Sequence, residues 1–363
     1  MNKSKNLSSV LLINIFLILV VLLFAEIYLK ISTDDWSETQ NLGIIRDNTT
    51  IFKTNFYGDE KEIIYSRDKY GLRDNCDPKE IDILTIGGST TDQRYIPLED
   101  TFQAILEKKL SIELGKEICV SNAGVDGHST YAHIASFEIW FPLIKDLNPD
   151  VYLLFIGVND AFFIGEDKKP INLEKEQDLK KDTFIQSLNL YKLYIRLVKI
   201  VKGELIDEQY AGHSSIELTQ DKYTVSNLNT ATEKLSKDNA EQFRKRLKII
   251  INKIRESESE LLCVTQPHRF VIENNGNLFG VKDIFSRGEL KFSGLDYDYS
   301  LKEINKVIFE ECSSENTIDL YSYNFNETHF YDYAHTTPEG SSEIGLEIFN
   351  NFKQLSIFDS LNK

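Results

Sequence analysis

The chain has 363 residues, 41% of them hydrophobic and 27% charged, enough to bury a full core in one large domain or two small ones. Seventeen Tyr and 22 Phe exclude a disordered polymer. A net charge of −16 leaves no basic footprint for a phosphate backbone, which excludes nucleic-acid binding.

The first element is an N-terminal apolar run. Residues 10–25 contain a single polar residue, Asn14, and with their flanks reach the roughly 20 residues that span a bilayer. Lys3 and Lys5 precede the run; Glu26, Asp34, Asp35 and Glu38 follow it, with Lys30 among them. The positive-inside bias predicts a single-pass anchor over residues 1–30, with a cytoplasmic N-terminus and the remainder extracytoplasmic, periplasmic or at the cell surface. A cleaved signal peptide is the competing reading, but no small-x-small site precedes "EIYLK". Residues 31–80 read as a linker and an extension packed on the domain that follows, with "IIYS" the best strand-like piece.

From residue 81 strands and helices alternate. "IDILTIGG" reads as a buried strand, "TFQAILEKKLSIEL" as a helix, "EICVSNAG" as a strand and "YAHIASFEIWFPLIKDL" as a helix. "DVYLLFIGVND" is apolar without alternation, as a strand covered on both faces should be. An insertion at about 162–235 carries one amphipathic helix, "TFIQSLNLYKLYIRLVKIVK", and a loop-rich stretch. Then come the helix "NAEQFRKRLKIIINKIRES", the strand "ELLCVTQP", an irregular segment over 270–300, the helix "LKEINKVIFEECSSE", the strand "NTIDLYSY" and a closing helix from Pro338. Five strands alternating with helices predict an α/β fold: a three-layer α/β/α sandwich on a mostly parallel five-stranded sheet, spanning residues 81–358. Cys76, Cys119, Cys263 and Cys312 contain no CxxC pair, so a zinc site is not expected; Cys119 and Cys263 sit in apolar strand-like runs, where a buried free thiol is the default, with one disulfide of unassigned pairing as the alternative.

In such a sheet ligands bind beyond the carboxyl ends of the strands. Those loops hold Gly87, Gly88 and Ser89, then "NAGVDGHST", then "GVND", then "FYDYAHTTPEG". Acyl transfer needs these residue types. Ser89 would attack an ester carbonyl, His335 would take and return its proton, and Asp332 would orient the imidazole. The Ser89 and Gly127 N–H groups and the Asn159 amide would hold the oxyanion. His268 follows the fourth strand and is a candidate pocket residue. His128, His133, His213 and His329 show no partner pattern and read as structural. No His pair has the spacing of helical metal ligands, so no metal is expected.

In order and spacing the blocks "IGGST", "NAGVDGHS", "GVND" and "DYAH" resemble the SGNH hydrolase superfamily, the GDSL-type esterases, over roughly residues 80–355. Gly88 stands where the family name implies an aspartate. Gly124 is a second glycine for the oxyanion role, and the spacing from "NA" favours Gly127. The resemblance implies a flavodoxin-like sheet, an ester-cleaving activity through Ser89, Asp332 and His335, and no cofactor. Membrane-anchored relatives of this layout look like proteins of bacterial envelope-polysaccharide assembly. The implied substrate is therefore an acylated glycan or another extracytoplasmic ester. An O-acyltransferase using the same three residues is the alternative, and a non-catalytic glycan-binding protein the third reading. Oligomeric state is not legible.

Overall fold

The computed structural model describes residues 3–32, 42–74, 76–164 and 213–362, with residues 36, 39, 190, 191 and 194. Two compact units partition the chain: residues 1–38 with 169–212, and residues 39–168 with 213–363. In the first unit the apolar run forms one helix, α1 (Lys3–Ser32). Among the described residues no helix is long and apolar enough to cross a membrane. The amphipathic helix expected over 183–202 lies outside the described residues, apart from 190, 191 and 194.

The second unit opens with an antiparallel hairpin, β1 (Asn48–Thr54) and β2 (Lys61–Arg67). On β2 the alternate residues Ile63, Tyr65 and Arg67 point inward. The α/β body follows: β3 (Ile83–Gly87), the single turn α2 (Ser89–Asp92), α3 (Phe102–Leu114), β4 (Val120–Asn122), α4 (Thr130–Ala135), β5 (Val151–Phe155) and the turn α5 (Val158–Ala161). Beyond the insertion lie β6 (Tyr223–Val225), α6 (Thr232–Glu256), β7 (Glu260–Val264), β8 (Val271–Asn274), β9 (Asn277–Val281), β10 (Phe285–Arg287), β11 (Leu290–Phe292), α7 (Gly294–Cys312), β12 (Thr317–Ile318) and α8 (Pro338–Phe352).

Five strands form one parallel sheet in the order β12, β7, β5, β3, β4. Chain order reverses between β3 and β5, and a doubly wound sheet opens its ligand crevice at such a reversal. Every residue of β3 and β5 is buried, as the unbroken apolar runs require. Val151, Leu153 and Phe155 of β5 join Phe102, Leu106 and Leu110 of α3 and Ile344, Ile348 and Phe352 of α8 in the core on one face. The alternate residues Tyr152 and Leu154 point to the other face. There α6 and α7 pack together through Phe243, Leu247, Ile250, Ile304 and Ile308. The helix ends are set locally. Thr101 accepts a bond from Ala104 N–H to start α3, Thr337 does the same for Gly340 ahead of α8, and Ser293 and Asp296 form a capping box on α7.

Three local expectations are corrected. The segment over 270–300 is not irregular: β8 and β9 form a hairpin, and β10 and β11 another. Asn275 and Gly276, both at positive φ, make the turn between β8 and β9. The helix after β4 is regular only over α4, then widens into a π turn over Ser136–Trp140 and ends near Pro142. Cys119 and Cys263 are not free thiols, and there are two disulfides where one was open. Cys76 is bonded to Cys119 and Cys263 to Cys312, closing loops of 43 and 49 residues. By chain entropy each is worth about 4 kcal/mol.

Candidate active site

The serine turn sits at the reversal of the sheet. β3 ends at Gly87, Gly88 is the N-cap, and Ser89 opens α2, so its N–H belongs to a first turn without helical acceptors. Gly88 is required by close approach: a Cβ there would lie 2.4 Å from Asn159 Nδ2 and 2.9 Å from the His128 carbonyl oxygen. The absent side chain lets the loops after β3, β4 and β5 meet.

Buried charge from the N-terminal extension fixes this turn. Arg73 donates to the carbonyls of Asp92 (2.6 Å) and Gln93 (2.6 Å) at the carboxyl end of α2 and to that of Ile96 (2.5 Å) just beyond it. The Asp92 carboxylate accepts bonds from Tyr65 (2.7 Å) and Arg67 (2.5 Å) of β2. Gln93, in the left-handed region, donates to Ser341 at the start of α8 (2.7 Å) and accepts the Phe102 N–H (3.0 Å). The turn that carries Ser89 is therefore tied to the helix that follows His335.

Ser89 Oγ lies 2.7 Å from His335 Nε2, and His335 Nδ1 lies 2.7 Å from Asp332 Oδ2. Asp332 Oδ1 accepts the N–H groups of Ala334 (2.8 Å) and His335 (2.7 Å), which curls the Asp-x-x-His segment so that carboxylate and imidazole meet. Burial alone would raise the Asp332 carboxyl. The bond and charge of His335 and the two backbone N–H groups outweigh it and hold the carboxyl below its ordinary range. A carboxylate on Nδ1 sets the tautomer that leaves Nε2 free to accept the serine proton.

Gly127 has φ +74° in a turn closed by the His128 N–H on the Val125 carbonyl (3.1 Å), and it is exposed, whereas Ser89 and Asn159 are half-buried. Asn159 gives one amide N–H to the His128 carbonyl (2.7 Å). Its turn is braced twice. Gln266 accepts the Val158 N–H (2.8 Å) and donates to Thr90 (2.7 Å), linking the asparagine loop to the serine loop. Asp160 is buried against the Thr130 N–H and hydroxyl and Arg246 (3.1 Å). Asn159→Ala is expected to lower kcat about 10²- to 10³-fold with KM little changed, because an oxyanion donor acts on the transition state. Steady-state kinetics on a nitrophenyl ester check this, and a change in KM alone would remove Asn159 from that role.

The structure thus brings together Ser89, Asn159, Asp332 and His335, with Gly127 on the adjoining turn. His268 departs from its expected place. Its side chain is 3% exposed, Nε2 lies 3.2 Å from Asp298 Oδ1, and Nδ1 accepts the Phe270 N–H (3.1 Å). Asp298 also takes bonds from Tyr321 (2.6 Å) and Lys302 (2.8 Å). Burial would raise its carboxyl, but His268, Lys302 and Tyr321 hold it down at about 2. His268 ties the loop after β7 to α7 instead of facing the crevice. His128 is structural as expected: it is buried with Nε2 on the Leu42 carbonyl (2.7 Å), and burial pushes it down to about 4.

Sequence reasoning missed Arg73, Asp92, Asp160, Gln266, and the pair Asp126 and His213, whose carboxylate and imidazole lie 3.5 Å apart. Asp160 stood inside "GVND" and Asp126 inside "NAGVDGHS", where their motif neighbours could have flagged them; His213 lies in a loop-rich stretch with no pattern. Among the described residues one trio has metal-like donors, Cys76, Glu107 and Cys119, but its two sulfurs are joined as a disulfide, which removes the thiolates a metal needs.

A serine, histidine and aspartate in hydrogen-bonded series, next to an asparagine amide and a glycine turn, define the equipment of acyl transfer. The family model for the GDSL-like Lipase/Acylhydrolase matches residues 73–348. The chain belongs to this family and is an enzyme of ester bonds. Similar solved structures include an acetyl xylan esterase, at 16% identity over 74% of this chain and 98% of that one with a TM-score of 0.37. A putative lipolytic protein of the G-D-S-L family from Desulfitobacterium hafniense has 12% identity over 74% and 98%, with a TM-score of 0.38. A lipase from a goat rumen metagenome has 13% identity over 75% and 97%, with a TM-score of 0.42. No curated protein matches the chain.

Proposed function

We propose that the protein is a serine esterase or deacetylase that works through an acyl-enzyme on an extracytoplasmic ester, an acylated glycan. The observation that carries the mechanism is the unbroken series from Ser89 Oγ through His335 to Asp332, with 2.7 Å at each step. His335 accepts the serine proton as Oγ attacks the ester carbonyl. The Ser89 and Gly127 N–H groups and the Asn159 amide receive the developing oxyanion, and His335 returns the proton to the leaving alcohol. Water then repeats the cycle on the acyl-serine.

The extracytoplasmic assignment has two supports. Lysines precede and acids follow the apolar run in α1, as in a membrane anchor with its downstream domain outside. All four cysteines are paired, which fits an oxidising compartment. A substrate made or delivered at a membrane surface follows from attachment there and favours glycan modification over scavenging of free esters.

The test is incubation of the full chain in detergent with nitrophenyl acetate and with acetylated oligosaccharides, with and without sugar acceptors. Acetate release from the oligosaccharide is the expected result. Transfer to the sugar acceptor in preference to water would make the enzyme an O-acyltransferase; no turnover of any acetylated glycan would remove that substrate class. Fractionation checks the anchor: the intact chain should stay with membranes through salt and carbonate washing. A soluble, N-terminally trimmed main species would contradict it.

A further inference from the structure

We propose that His213 is a positioning residue that ties the glycine loop after β4 to the histidine loop before α8 and holds the His335 imidazole in register with Ser89. The inference rests on the Ser89, His335 and Asp332 reading. His213 precedes β6, in the insertion, and every side of it is engaged. Its backbone N–H donates to Tyr95 Oη (3.4 Å), its Nδ1 meets the Tyr331 hydroxyl (2.8 Å), and its Nε2 faces Asp126 Oδ2 (3.5 Å). Its ring lies against that of His335, with centroids 4.2 Å apart and planes 34° from parallel. Tyr331 closes another side of His335, stacked at 5.6 Å and 11°.

Both ring nitrogens of His213 have partners, so neither is offered to a substrate as a second base. The partners explain what the residue does. Tyr331 begins the segment that carries Asp332 and His335, and its own N–H bonds the His335 carbonyl (3.0 Å). Asp126 directly precedes Gly127 and is clamped by Arg94 (2.9 Å). His213 is thus a strut between the loop that orients the base and the turn assigned to the oxyanion. Asp126 adds charge. Burial would raise its carboxyl, but the His213 bond and the charges of Arg94, His213 and His335 outweigh burial and keep it ionised. The groups facing His335 are then Ser89, Asp332, Tyr331, His213 and, across His213, Asp126 with Arg94 behind it.

The experiment measures the rate at which a fluorophosphonate labels Ser89 in the full-length protein, together with kcat and KM on nitrophenyl acetate and the thermal melt. His213→Ala should slow labelling and kcat about 10- to 100-fold with KM little changed, the cost of a base displaced by a fraction of an ångström to an ångström. His213→Phe keeps a flat ring against His335 but loses both polar partners, so its rate should fall between those of the alanine variant and the wild type. It also carries the test should the alanine variant melt early. Asp126→Asn keeps the shape of the side chain but weakens its hold on His213 and Arg94, and should slow labelling and kcat in the same direction as His213→Phe with KM little changed. Wild-type labelling by His213→Ala or by His213→Phe, or a change confined to KM, would each overturn the inference while leaving the three-residue reading intact. A wild-type chain that is never labelled at Ser89 would sink that reading and this inference with it.

Discussion

Ser89→Ala is expected to lose about 10⁴- to 10⁶-fold in kcat while melting at the wild-type temperature. The serine is half-buried, and Oγ is bonded to His335, so its loss removes one hydrogen bond and opens no core cavity. The turn around it is held by Arg73, Asp92, Gln93 and Thr90, none of which depends on the hydroxyl. Residual turnover would come from the oxyanion donors acting on water. A variant that keeps more than about a tenth of the activity, far above that residue of catalysis, would take Ser89 out of the mechanism.

His335→Ala should be as severe, and the double variant should be little worse than either single one. Serine and histidine act as one unit: without the imidazole the hydroxyl is a poor nucleophile, and without the hydroxyl the imidazole has nothing to deprotonate. The geometry sharpens this expectation, because Nε2 faces Ser89 and Nδ1 is committed to Asp332, so no second base replaces it. His213 is the nearest imidazole, but both of its nitrogens are engaged. The check is a double-variant cycle on kcat/KM with a nitrophenyl ester. Losses that add in free energy would contradict the pairing.

The parts of the molecule that were legible in the sequence are the local ones. β3 and β5 are continuous apolar runs because both faces are covered, and each runs directly into a short turn that carries its own chemistry. Ser89, Asn159, Asp332 and His335 could be found from such blocks, since the carboxyl ends of parallel strands converge whatever lies between them. The supports were not legible because they depend on long-range packing. Arg73 reaches Asp92 from the N-terminal extension, and nothing about an arginine after "YGL" announces a buried guanidinium capping a distant turn. The pairing of Cys263 with Cys312 joins β7 to the end of α7, a proximity set by the fold and not by spacing. His268 misled because its place after a strand is that of a pocket residue, while Asp298 on α7 draws it into a buried network. The β8–β9 turn did carry a signal, Asn275 with Gly276. Its flanking strands are only four and five residues long and half exposed, too short for periodicity to stand out.

Ester cleavage on this reading passes through an acyl group on Ser89. The most direct measurement is peptide mass mapping of protein acid-quenched during the pre-steady-state burst with nitrophenyl acetate. One acetyl group is expected, on the peptide containing Ser89, absent from Ser89→Ala and accumulating only slowly in His335→Ala. Turnover of the ester with that peptide unmodified and the acetyl group on another residue would contradict it.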